Sequence, residues 1–240
     1  MIKFFRHIRQ KLLSEDKFSR YLLYAIGEIV LVVIGILIAL SINNWNEYRK
    51  ETNFEQKILR ELKSDFEYNE SELNSNIIKS STLASNCDSL LALFNLPKAE
   101  VDPINYFNYT RRLGGYSTFS PSNGALNALI SSGNLYIIKN DSLRMHLARW
   151  SGMIEDARED EMRLIAFGDT NMNPFRLEYL NLTPDSTYVD PALLENFKFK
   201  NIVRTIRERA NYNVENYEIL GVEITKILDE INRELNPEQK

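Results

Sequence analysis

The chain has 240 residues, of which 44% are hydrophobic and 26% are charged, a composition typical of a folded protein. Its net charge of −4 is unevenly distributed, because residues 1–20 carry a net charge of +4 and residues 43–240 carry −7. A region this acidic argues against nucleic acid as a partner, since binding a phosphate backbone requires a basic surface.

Residues 1–20 are predicted to form a basic amphipathic tail. Apolar side chains such as Phe4, Ile8 and Leu12 recur on one side of a helix, with basic residues around them. Such a segment is suited to lying in a membrane interface. Basic residues before an apolar stretch also indicate a cytoplasmic N-terminus by the positive-inside rule.

Residues 21–42, YLLYAIGEIVLVVIGILIALSI, are predicted to form a transmembrane helix in the lipid bilayer. At about 1.5 Å per residue, 22 residues cover roughly 30 Å, the thickness of the hydrocarbon core. Small residues at Ala39-Leu40-Ser41 resemble a signal-peptide cleavage site, but the apolar stretch is longer than the 7–15 residues of a signal peptide. We therefore predict an uncleaved signal-anchor.

One face of this predicted span carries Glu28, Gly35 and Ala39. At about 100° per residue the three positions project within roughly 40° of one another. Gly35-x-x-x-Ala39 is a pattern that permits close helix approach, and an acidic side chain in lipid is costly. One interpretation is a helix contact, with a second copy or a partner membrane protein; the other is a carboxylate near the interface with incidental small residues.

Residues 43–240 are predicted to form an all-α domain outside the membrane, a long-helix bundle or hairpin whose first helix has coiled-coil character. Apolar residues recur at spacings of three and four, with few Gly or Pro and no strand alternation. The predicted long helices cover about 46–95, 141–172 and 199–235, and the shorter ones about 103–112, 121–132 and 191–196. Ser120-Pro121 is expected to open the helix that Gly133 ends, and the second long helix is expected to stop before Pro174.

Arg111 and Arg112, beside Gly114-Gly115, form a candidate anion site, because paired guanidinium groups and exposed backbone can hold an anion. The alternative is a pair of arginines at a helix end facing water. The acidic run at residues 155–161 lacks the spacing of a calcium loop and is interpreted as a solvated helix face.

The sequence carries no catalytic motif, and we predict no catalytic residue, cofactor or metal site. One His and one Cys outside the tail are too few for zinc sites built on these residues. The single cysteine, Cys87, lies on the apolar side of a predicted helix and is interpreted as a buried, inert thiol. No enzyme class is therefore indicated.

The stretches MIKFFRHIRQKLL and KFSRYLLYAIGEIVLVVIGILIALSINNWNEYRK resemble the N-terminal signature of an uncharacterised family of Bacteroidetes single-pass membrane proteins, domain of unknown function 6090. SSGNLYIIKNDSLRMHLARW and FKNIVRTIRERANYNVENYEIL are also similar to that family. The resemblance implies an inner-membrane protein with a helical domain outside the cytoplasm. It implies no activity and no catalytic residues.

Two functions remain open from the sequence. The first is an inner-membrane-anchored, helical interaction module in the periplasm, able to associate with itself. The second is a periplasmic ligand-binding or enzymatic subunit with its site in segments 97–120 and 174–190. A pocket with converging polar groups would favour the second function.

Overall fold

The computed structural model describes residues 18–181 and 188–236, and this part of the chain is all-α, without strands. The α-helices are α1 (Phe18–Leu93), α2 (Pro103–Arg111), α3 (Gly124–Ser131), α4 (Asp141–Phe167), α5 (Asn173–Tyr179) and α6 (Phe197–Leu235). Short 3-10 helices cover Lys98–Glu100, Asn134–Ile137 and Pro191–Glu195, and a π-helical turn covers Gly168–Met172. The predicted tail up to residue 17, and residues 182–187 of segment 174–190, lie outside the described residues.

The chain divides into two compact units, Met1–Glu55 and Gln56–Lys240. Helix α1 has residues in both units and is continuous from Phe18 to Leu93. In the first unit, α1 contains an apolar window with a mean hydropathy of 2.8 and no buried residue. It is the one helix in the described ranges that is long and apolar enough to cross a membrane.

In the second unit, helices α1, α3, α4 and α6 share one apolar cluster. The rings of Phe66 on α1 and Trp150 on α4 are 5.2 Å apart at its centre. Leu126 of α3 and Ile224 of α6 are buried in the same cluster. Within each helix the residues of this cluster recur at helical spacing, as Leu143, Leu147 and Trp150 do in α4. Each helix therefore buries one apolar face, and this burial stabilises the arrangement.

A second apolar cluster lies near the C-terminal end of α1 and the N-terminal end of α6, and α2 and α5 also contribute residues to it. Phe175 of α5 stacks on Phe199 of α6 with ring centroids 4.9 Å apart. Helices α1 and α6 run antiparallel, since Gln56 bonds to the Glu234 carbonyl whereas Arg207 bonds to Asp88. Polar residues are buried on both helices at sequence positions between the two clusters: Asn76, Ser80 and Asn213.

Helix α3 begins at Gly124, so the predicted start at Ser120-Pro121 is wrong. The reason is that side chains of α1 hold the preceding loop and the helix start. Asp65 accepts hydrogen bonds from the Ser122 hydroxyl at 2.7 Å and the Ala125 amide at 3.0 Å. A carboxylate at a helix start satisfies free amides as a local cap would. Gly133, with a φ of +68°, follows Ser132, the C-cap residue of α3, and so lies at the helix end as expected.

Helix α4 ends at Phe167, before Pro174 as predicted, but the helical path does not end with it. It passes through the π-helical turn Gly168–Met172 into α5, and Pro174 lies in the first turn of α5. Proline is tolerated in the first turn of a helix, and the π-turn before it changes the register of the backbone hydrogen bonds at this point.

Candidate functional site

A groove with a volume of about 480 Å³ opens on the second unit. Three elements form it: the C-terminal part of α1, the C-terminal end of α2 with the Gly-Gly segment that follows, and α5. Its polar and glycine lining comprises Lys79, Thr82, Asn86, Arg111, Arg112, Gly114, Gly115 and Arg176. Segments 97–120 and 174–190, which the sequence suggested for a ligand site, both contribute residues to it.

Arg111 and Arg112 both line this groove, where the sequence placed a candidate anion site. Both side chains are exposed, and the Arg111 guanidinium lies 5.8 Å from the centre of the Phe107 ring. Gly114 has a φ of +118°, a conformation that favours glycine. A Cβ at this position would lie 3.0 Å from Nη1 of Arg176, so the guanidinium rests against the glycine backbone.

Arg176 and Lys79 are the groove cations that sequence reasoning missed. They come from α5 and α1, whose sequences carry no local signal that relates them to Arg111. Arg176 is half-buried, and its Nε is fully buried without a hydrogen-bond partner among the described residues. Beside it, burial and the nearby Cys87 raise the pKa of Tyr116 to about 12, against the opposing effect of Arg176. The phenol is therefore neutral at physiological pH.

Glu28, Gly35 and Ala39 share the continuous helix α1, so helical geometry places them on one face. The Glu28 side chain is half-buried, whereas Gly35 and Ala39 are exposed. Apart from α1's own backbone and the chain neighbours of Gly35, no atom of the described residues lies within 4 Å of a Cβ built on Gly35, so this face has room for another helix to approach.

Within the acidic run at residues 155–161, the interpretation as a solvated face is wrong for Glu161. This side chain is 2% exposed and accepts hydrogen bonds from the Phe119 amide at 2.9 Å and the Tyr217 hydroxyl at 2.7 Å. Burial, then the bond to Glu161, raises the pKa of Tyr217. Glu155 and Glu159 are exposed, as expected. Glu161 therefore supports the core and is not part of a carboxylate site.

A second buried carboxylate, Glu223 of α6, is 2% exposed and contacts two basic side chains of α4. His146 Nδ1 and Arg149 Nε both lie 2.6 Å from its Oε1, and Arg149 also bonds to Oε2. Burial raises the pKa of Glu223, but the hydrogen bonds from Arg149 and His146 outweigh it and hold the pKa below its ordinary value. This network satisfies a buried charge and stabilises the α4–α6 contact.

Cys87 is fully buried, which confirms the interpretation of an inert thiol. Burial, followed by the charge of Asp88, raises its pKa to about 12, so the reactive thiolate is scarce at neutral pH. Across residues 18–181 and 188–236 the structure brings together no group of three His, Cys, Asp or Glu side chains that could hold a metal.

Over the described residues these observations define an all-α protein, in which one helix is long and apolar enough to cross a membrane and Gln56–Lys240 is a compact unit. The chain belongs to the family of unknown function DUF6090, whose model matches residues 28–155, more than half of its length. The matched range includes the Glu28–Ala39 face and both Arg111 and Arg112. Comparison with curated proteins and with solved structures found no match.

Proposed function

We propose that the protein is an inner-membrane-anchored interaction module, with its N-terminus in the cytoplasm and a helical bundle in the periplasm. The observation that supports this function best is the apolar window of α1, in which no residue is buried although its mean hydropathy is 2.8. Exposing that much apolar surface to water is costly, and a bilayer removes the cost. The orientation rests on the net charge of +4 before the window and −7 after it.

Association in the membrane is assigned to the face formed by Glu28, Gly35 and Ala39. Without side chains beyond Cβ at Gly35 and Ala39, a second helix can approach closely along this face. Glu28 adds a polar side chain to this face, and hydrogen bonds between polar side chains of neighbouring helices favour helix association in lipid. The second helix is either another copy of this chain or a partner membrane protein.

Crosslinking of the full chain in membranes tests this function. Glu28→Leu and Gly35→Leu are each expected to reduce the crosslinked species several-fold, because one removes the polar contact and the other fills the space for close approach. Gly27→Leu is a matched control, since Gly27 has the same open surroundings but lies about 100° away around the helix. An unchanged oligomeric state in Glu28→Leu would contradict the proposal.

A further inference from the structure

We propose that the groove between α1, the end of α2 and α5 binds a small organic anion, with a phosphate or carboxylate group on an apolar body. This site goes beyond the membrane interaction role. It gives the alternative of ligand binding in segments 97–120 and 174–190 a defined place and a defined chemistry.

The first argument for anion binding is the charge of the side chains that line the groove. Lys79, Arg111, Arg112 and Arg176 converge from three separate elements, and no acidic side chain is among the lining residues. None of the four has an ion-pair partner within the described ranges. Four like charges around one groove repel each other, so a bound anion would lower their electrostatic energy. Guanidinium groups also match the geometry of phosphate and carboxylate oxygens.

Arg176 adds a donor that packing has already positioned. Its Nη1 lies against Gly114, and its buried Nε has no hydrogen-bond partner among the residues that the structure describes. Arg176 lines the groove, so its guanidinium can donate to an oxygen of an anion bound there. Because the backbone at Gly114 already restrains the guanidinium, little further ordering is needed on binding.

The size and apolar lining of the groove indicate the rest of the ligand. Its volume of about 480 Å³ exceeds the need of an inorganic anion and falls within the range of small-molecule sites. Ile78 lines it with a side chain that is 66% exposed, and Leu83 and Leu113 also contribute to the lining. An apolar body attached to the anionic group would cover Ile78.

Isothermal titration calorimetry on the full chain in a neutral detergent tests the site with phenyl phosphate and with benzoate. We expect saturable one-to-one binding of at least one of them, weakened by raising the salt concentration because the contacts are charged. Comparison of the two distinguishes a phosphate from a carboxylate ligand. Inorganic phosphate is expected to bind more weakly than phenyl phosphate, and the uncharged benzyl alcohol is expected not to bind.

The double variant Arg111→Gln/Arg112→Gln is expected to lower affinity at least tenfold. Because both side chains are exposed, its thermal unfolding should match that of the wild-type protein. Arg158→Gln is the matched control, since Arg158 is an exposed arginine on α4 outside the groove. Equal affinity in the wild-type and double-variant proteins, or no saturable binding of either anion by the wild-type chain, would overturn the proposal.

Discussion

Glu223 is a buried residue whose charge helps to hold two helices, α4 and α6, together. Its pKa is held below the ordinary value in the folded chain, so the unfolded chain binds a proton at a higher pH than the folded chain does. The stabilisation is fully present above the unfolded pKa of about 4.3, and it is lost as pH falls through the lower folded pKa. His146 and Arg149 on α4, and Lys226 on α6, are the charged or titratable groups around it.

Glu223→Gln is therefore expected to destabilise the full chain by about 1 to 3 kcal/mol at pH 7, and by less at pH 3. Urea unfolding followed by circular dichroism at both pH values measures this. Glu218→Gln, at an exposed acid on the same helix, should be close to neutral at both. A destabilisation of Glu223→Gln that does not change with pH would show that the charge of Glu223 is not responsible.

The start of helix α3 offers a test of whether a capping side chain from another helix can replace a cap from the adjacent residues. Asp65→Ala removes the acceptor of the Ala125 amide and of the Ser122 hydroxyl, so a loss of about 1 to 2 kcal/mol is expected. Ser120→Ala should change stability by less than about 0.5 kcal/mol, because the Ser120 side chain does not cap the helix. Thermal unfolding of both variants measures the difference. Equal losses would favour the local cap.

Helix α3 also shows which features the sequence could predict. Apolar residues three and four apart indicated the helices themselves, because that spacing reports burial of one helix face. The start of α3 was misplaced because its cap, Asp65, is 60 residues distant from Ala125 along the chain. Burial of Glu161 was missed for the same reason, since its donors Phe119 and Tyr217 belong to other segments.

The candidate groove was partly predictable for a related reason. Arg111, Arg112 and the adjacent glycines are neighbours in sequence, so their convergence was visible before the fold was known. Lys79 and Arg176 reach the groove only through the packing of α1 and α5, which no local pattern reports. The helical path from α4 into α5 passes through the π-turn Gly168–Met172, and residue types alone do not predict such a turn.

For the whole molecule, the central prediction is that the chain is retained in a membrane without cleavage. The intact 28.0 kDa species is expected in the membrane fraction after a carbonate wash. Mass spectrometry measures this, since removal of residues 1–41 as a signal peptide would lower the mass by about 5 kDa. Leu31→Arg/Ile34→Arg should move the protein to the soluble fraction, because each arginine in the span costs about 2.5 to 3.5 kcal/mol. A shortened species in the wild-type preparation would contradict the anchor.

The burial of Cys87 makes the topology of this chain accessible to chemical labelling without further engineering. A thiol with no exposed surface and a raised pKa reacts slowly with maleimides, so the folded wild-type protein supplies an almost blank background. The proposed orientation has Ser14 and the exposed Arg158 on opposite sides of the membrane, and a cysteine introduced at each position would test this. A reagent that cannot cross lipid would modify only the second of them in intact cells.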